Sequence, residues 1–200
     1  MKILHGKGVS GGIAFGTVRF SGRDEVSVKR KSISDPAAEL SRVKAAREAA
    51  AAQLTALYDK ALREVGEANA QIFDIHRMML SDADYLESIE NYVQSQHVNA
   101  EYAVAMTADN FSEMFSAMDD DYLRARAADI RDISDRLIRC LTHRDDRSMT
   151  DGDALIVCAQ DLAPSETVQL DKSRVAAFCT TQGAASSHTA ILARTMGIPA

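Results

Sequence analysis

Tryptophan is absent from this chain, proline occurs only 3 times in 200 residues, and the 3 cysteines include no C-x-x-C pair. Cys140, Cys158 and Cys179 are odd in number and widely spaced. That gives neither a disulfide framework nor a zinc pattern and points to a reducing compartment. No run approaches the length of apolar sequence that spans a bilayer, and the opening Met1-Lys2-Ile3-Leu4-His5-Gly6-Lys7 has no apolar core of a signal peptide. A cytoplasmic protein without membrane insertion is expected. Basic excess is missing too: the net charge is −6, which argues against a nucleic-acid binder, since these carry basic stripes. There is no internal repeat and no low-complexity tract. With 46% hydrophobic and 26% charged residues, the balance is that of a globular protein large enough for one domain or two small ones.

What is present first is helical periodicity. Asp35-Pro36 supplies an N-cap and a first-turn proline. Leu40, Val43, Ala46, Ala50, Leu54, Leu57, Ala61 and Val65 then recur at spacings of three or four, the apolar face of a long amphipathic helix. Gly66 ends or bends it. Ile72, His76, Met79 and Leu80 continue the period, and the phase of His76 with Ile72 and Leu80 predicts burial rather than chemistry. Ser81-Asp82 caps a helix carrying Leu86, Ile89 and Val93. Asn99 caps one whose face is Ala103, Met106, Phe111, Met114 and Met118. Asp119-Asp120-Asp121 opens a last one through Tyr122, Arg126, Ile130, Ile133, Leu137 and Leu141, with acidic residues at the positive end of the helix dipole.

On either side the period changes. The glycine-rich start, with Ile13, Phe15 and Val18, predicts a strand among turns, and residues 21–33 predict a loop or short edge strand. Beyond the polar stretch 143–148, residues 154–158 and 174–179 are apolar runs of strand length, separated by a short helical turn after Pro164. Strand, helix, strand, glycine-bearing turn and helix make an α/β alternation. The predicted organisation is a discontinuous α/β domain, 1–33 with 144–200, interrupted by an all-helical bundle, 34–143.

The turn before the last helix reads Gln182-Gly183-Ala184-Ala185-Ser186-Ser187-His188-Thr189-Ala190-Ile191-Leu192-Ala193-Arg194. Small residues let a ligand approach the backbone, and the unpaired N–H groups and dipole of a helix entrance suit an anion such as phosphate. The same partial positive charge disfavours imidazolium, so His188 tends to the neutral form that can attack phosphorus. The pattern equally fits a capping residue on the surface, and the residues alone leave both readings open. A hydrolase nucleophile at Ser187 lacks the G-x-S-x-G elbow.

Residues 183–194, followed by Gly197-Ile198-Pro199-Ala200, resemble the phosphohistidine motif of phosphoenolpyruvate-utilising enzymes, G-G-x-T-S-H-x-A-I-x-A-R with a later I/L-P-A; Ala184 replaces the second glycine and Ser186 the threonine. Val9-Ser10-Gly11-Gly12-Ile13-Ala14-Phe15-Gly16, Tyr122-Leu123-Arg124-Ala125-Arg126-Ala127-Ala128-Asp129-Ile130-Arg131-Asp132-Ile133 and Asp161-Leu162-Ala163-Pro164-Ser165-Glu166-Thr167 are similar, in order, to S-P-G-I-A-x-G, Y-L-x-E-R-A-A-D-I-R-D-I and D-L-T-P-S-E-T. Together they narrow the resemblance to the enzyme I family of the bacterial sugar phosphotransferase system.

The resemblance implies an α+β multidomain fold: a swivelling α/β phosphohistidine domain, incomplete at its C-terminal end, holding an inserted helical bundle that docks the phosphocarrier HPr. It implies a phosphotransferase in which His188 accepts phosphate on Nε2, from phosphoenolpyruvate in the full-length enzyme, and passes it to a histidine of HPr. Thr167 is then the residue whose hydroxyl orients the imidazole, with Gly183, Ser186 and Ser187 in the phosphate turn. Glu67, Met79, Asp82, Asp84 and Arg126 fall in the segments matching the HPr-contacting face, although Arg126 also suits an i, i+3 ion pair. Mg²⁺ and phosphoenolpyruvate are expected in a C-terminal part lying outside this chain, as is the family's dimerisation surface, so no cofactor or metal is expected here and no labelling by phosphoenolpyruvate. Two other readings stand beside this one. The first is an HPr-docking module that has lost transfer through Ala184. The second is a nitrogen-branch paralogue, which would carry a sensory domain ahead of the opening motif, and none precedes Met1.

Overall fold

The computed structural model describes residues 6–21, 28–143, 154–160, 162–170, 173–181 and 188–200. The element order is β1 (Thr17–Ser21), α1 (Pro36–Val65), α2 (Glu67–Leu80), α3 (Ala83–Gln96), α4 (Ala100–Ser116), α5 (Asp121–Thr142), β2 (Leu155–Ala159), α6 (Pro164–Gln169), β3 (Val175–Thr180) and α7 (His188–Met196). Among the described residues it is mostly helical, with one small parallel sheet. The chain divides into two compact units. One comprises Met1–Asp24, Lys60–Asn69 and Arg147–Ala200; the other comprises Glu25–Asp59 and Ala70–Asp146.

In the helical unit, the long helix forms because its apolar residues repeat in phase. Val43, Ala46, Ala50, Leu54 and Leu57 are buried, and only Leu40 of the expected face in this unit is partly exposed. Asp82 caps α3, its Oδ1 accepting from the N–H groups of Asp84 (3.0 Å) and Tyr85 (3.1 Å). Asp120 caps α5 in the same way through Tyr122 and Leu123. Asn99 occupies the N-cap of α4, yet its side chain is used elsewhere: Oδ1 accepts from Lys31 N–H at 2.8 Å and Nδ2 donates to Glu101 at 2.7 Å. This ties residues 31–33, which also bridge antiparallel to Val98, onto the head of α4. The short edge pairing expected within 21–33 is therefore found at Ser32.

The expected face of α4 needs correction. Its buried residues are Ala100, Ala103, Val104, Thr107, Ala108 and Ser112, while Met106, Phe111 and Met118 are half-buried and Met114 is exposed. Small residues carry the close packing of α4 against α5, and the longer side chains flank it. Tyr85 completes the core, its hydroxyl 2.7 Å from that of Ser134, and burial pushes that phenol well above its usual range.

In the α/β unit, all three strands are parallel in the order β1-β2-β3. Strand β1 starts at Thr17, later than Ile13 and Phe15 suggest; those two side chains are 88% and 87% exposed. The core lies on one face of the sheet, where Val157 and Phe178 pack with Leu162, Leu170, Val175, Ala193 and Ile198. The glycine-rich start pairs with the chain's last residues: Ala200 O accepts from Val9 and Ser10, and Ser10 O accepts from Ala200. Pro199 O accepts in turn from Phe178 on β3. Gly12 sits at φ +141°, where a Cβ would lie 2.6 Å from Pro199 Cγ, so only glycine lets these two segments meet. Gly66, at φ +85°, separates α1 from α2 with a one-residue break.

Candidate functional site

Helices α6 and α7 follow the C-terminal ends of the neighbouring parallel strands β2 and β3. In parallel α/β sheets that edge is where ligands are bound. The strand ends stay together beyond the ladder, with Thr181 N–H donating to Ala159 O at 3.1 Å, and α6 packs on α7.

His188 is the first residue of α7, where the sequence places a helix entrance. Its imidazole, and Gly183, Ser186 and Ser187, lie outside the described residues. Ala190 and Ala193 hold α7 down, at 3% and 0% exposure, and Arg194 Nε donates to Val9 O at 2.7 Å. The helix carrying His188 is thus fixed both to the core and to the glycine-rich start.

Thr167 is fully buried in α6. Its hydroxyl donates to Ala163 O at 3.0 Å, which commits its only hydrogen and leaves oxygen lone pairs able to accept a further bond. A hydroxyl in that state can take an N–H from a histidine but cannot donate to one. Glu166 reaches back to accept Ala163 N–H at 2.8 Å, which is half of a capping box. The other half is missing because alanine has no side-chain oxygen.

Glu67 is exposed at the start of α2 and belongs to the α/β unit, whereas Met79, Asp82, Asp84 and Arg126 belong to the helical unit. Met79 is half-buried, and its neighbour Met78 is 73% exposed. Met78 is thus the more exposed of the two adjacent methionines on α2. Asp82 is engaged in capping, and Asp84 lines an open groove along α3 with Glu87, Ser88, Asn91 and Tyr92.

Arg126 makes the i, i+3 pair that its spacing allows, Nη1 to Asp129 Oδ2 at 2.8 Å. It also stacks over the Tyr122 ring, 4.3 Å from the centroid, and bonds the phenol oxygen. The other oxygen of Asp129 faces His76 Nε2 at 3.3 Å, and His76 Nδ1 lies 3.5 Å from Asp132. His76 is fully buried, as its phase predicts. Burial alone would raise the Asp129 carboxyl, but the neighbouring His76 imidazole and the Arg126 guanidinium outweigh it and hold the group below the usual carboxylate range. The chain His76–Asp129–Arg126 ties α2 to the first turns of α5, a link that sequence spacing could not supply because it is long-range.

Comparison with known proteins fits this construction. The family model described as "PEP-utilising enzyme, N-terminal" matches residues 5–126, and that described as "PEP-utilising enzyme, mobile domain" matches residues 151–200. The chain belongs to the PEP-utilising enzymes. All of it aligns with the phosphoenolpyruvate-protein phosphotransferases of Geobacillus stearothermophilus (37% identity over 200 residues) and Bacillus subtilis (38% over 202 residues), covering 35% of each. It thus spans about a third of the length of these curated relatives. Among solved structures it is similar to an NMR structure of Enzyme I (nEIt), with TM-score 0.78, 32% identity, and 98% of this chain and 81% of that one covered. It is also similar to an N-terminal domain of Enzyme 1 - Nitrogen, with TM-score 0.69, 28% identity, and 96% and 79% covered. The resemblance to the enzyme I N-terminal region, drawn from four short motifs, holds along the whole chain.

Proposed function

We propose that this chain is the phosphohistidine-bearing part of a phosphoenolpyruvate-protein phosphotransferase of the sugar branch, exchanging a phosphoryl group between His188 and a histidine of HPr. The observation that carries this reading is the pairing of α7, opening at His188, with α6, which holds a buried Thr167 hydroxyl whose hydrogen is already given to Ala163. Such an oxygen accepts Nδ1–H of an imidazole. That fixes the tautomer with Nε2 free to attack phosphorus, and the N–H groups at the start of α7 favour the phosphoryl oxygens. In transfer from phospho-HPr, Nε2 forms its bond to phosphorus as the bond to the HPr nitrogen breaks; the reverse step regenerates neutral His188.

The helical bundle is the docking part, with Met78 or Met79, Asp82, Asp84 and Arg126 contributing on it and Glu67 beside the α1–α2 break. Phosphoenolpyruvate enters through the larger part of the full-length enzyme, together with Mg²⁺. Among the described residues no three His, Cys, Asp or Glu side chains gather to hold a metal ion. Nor, among the described residues, is any helix long and apolar enough to cross a membrane.

The test is transfer of labelled phosphate from phospho-HPr to the chain. Acid-labile label that disappears in His188→Ala is expected. Label that survives that substitution, or that resists acid as a phosphoserine at Ser186 or Ser187 would, overturns the site. A chain that binds HPr yet never takes label is the docking module without transfer.

A further inference from the structure

The sheet has a second face, opposite the Val157–Phe178 core, and the proposed transfer makes no use of it. On that face Cys158 of β2 stands in register with Cys179 of β3. Residues in register on parallel neighbours point to the same side, and their Cα atoms are separated by roughly the 4.8 Å strand spacing. A disulfide needs a Cα separation of about 4.4–6.8 Å, so the backbone already satisfies it. Both thiols are reduced, Cys158 half-buried and Cys179 exposed.

Their surroundings differ in a useful way. Cys179 is open to a small oxidant. Cys158 is flanked across the other strand pair by Phe20, itself 81% exposed. Burial and the neighbouring thiol both push Cys158 up from the usual thiol range, which keeps it protonated until a partner sulfur is activated beside it. Nucleophilic reactivity of a thiol follows exposure and thiolate character.

We propose that Cys158 and Cys179 are a redox-responsive pair that closes to an intrachain disulfide when a peroxide reaches Cys179. In the first step the Cys179 sulfur attacks a peroxide oxygen and becomes a sulfenic acid, and water leaves. In the second the Cys158 sulfur attacks the sulfenic sulfur. The S–S bond forms, and the Cys158 proton leaves with the hydroxyl as a second water. Two thiols are oxidised by two electrons and one peroxide is reduced. A dithiol reductant reverses the bond by thiol–disulfide exchange. The bond would clamp the ends of β2 and β3, the strands that lead into α6 and α7. It does not depend on the phosphotransfer reading.

The experiment uses the 200-residue chain with Cys140→Ser, so that only this pair remains. Hydrogen peroxide should lower the intact mass by two hydrogens without forming covalent dimers, and should remove both alkylatable thiols; dithiothreitol should restore them. Phenylarsine oxide, which loses its oxygen as water when it bridges two thiols, should add one-to-one to the reduced chain. It should add neither to Cys158→Ser nor to Cys179→Ser. Two thiols that stay alkylatable, accumulation of oxygen adducts, or dimers joined through Cys179 overturn the proposal. Peptide mapping of the unsubstituted chain after peroxide guards against a folding defect in the variant: a peptide joining Cys158 to Cys179 supports the pair, and one joining Cys140 to either overturns it.

Discussion

The two units of this chain bury their residues differently. In the helical unit the interior contains Glu39, His76, Asn99, Thr107, Ser112, Asp129, Asp132, Ser134 and Arg136 beside its apolar residues. Among the described residues of the α/β unit the buried polar residues are only Ser165 and Thr167, while Ile13, Phe15, Val18 and Phe20 stand exposed. The bundle surrounds its core with helices and can use polar side chains to fix which helix pairs with which. Arg42, for example, binds Glu39 at 2.6 Å and Glu101 at 2.7 Å, and Glu39 accepts Ala100 N–H at 2.7 Å. The three-stranded sheet closes on one face, so its core is almost wholly aliphatic and its polar groups gather at the strand ends, where the candidate site lies. Polar residues buried at mid-bundle thus read as architecture, and those at the sheet edge as chemistry.

Four substitutions would break or sharpen that contrast. Phe73 is fully buried and packs edge-on to His76, with ring centroids 6.2 Å apart. Phe73→Ala should cost about 3–5 kcal/mol. Hydrogen exchange should show the loss in amides of the helical unit and spare β2 and β3; equal loss in both would mean the units are not separate. Asp129→Asn should cost about 2 kcal/mol at neutral pH by leaving His76 and Arg126 without the carboxylate they share. The Asp129 carboxyl is held low, so its contribution is present above the ordinary carboxylate pKa of about 4 and is lost as pH falls through the lower folded value. Denaturation midpoints across that acid range should therefore fall less steeply in the variant, and parallel curves would show that Asp129 is not linked to acid stability.

Gly12→Ala meets both a left-handed backbone and Pro199, and should cost about 1–2 kcal/mol. The amides of Val9, Ser10 and Ala200 should exchange faster while the bundle is unaffected. Unchanged protection there would remove Gly12 as the reason the two ends meet. Smallest, Ala163→Thr would supply the missing oxygen of the α6 cap and should gain about 0.5–1 kcal/mol, provided Glu166 keeps its bond to the Ala163 N–H. A loss of stability would show that the alanine is there to spare room.

Much of this was legible beforehand. The faces of α1 and α5 follow from spacing, because a long helix averages over many residues and small phase errors cancel. The burial of His76 was legible for the same reason. Face prediction failed on α4. There, large flexible side chains sit at the margin of a helix face, and whether they point in or out depends on the neighbouring helix. The start of β1 was set too early because Ile13 and Phe15 look apolar, yet among the described residues no partner strand reaches them; the ladder begins where Thr17 meets Leu155. At the candidate site, the residue types and order were readable at His188 and Thr167. The direction of the Thr167 hydroxyl was not, since it depends on the α6 backbone.

Local physics by itself settled roughly where the helices run, which aspartates cap α3 and α5, and that the last helix opens close to His188 behind a turn of small residues. Those properties depend on neighbours within a few positions along the chain. The tertiary structure alone decided that Cys158 lies beside Cys179, that Asp129 bridges His76 to Arg126, and that Ser10 pairs with Ala200. Each of those joins residues distant in sequence, and such contacts exist only once packing has selected one arrangement of helices and strands.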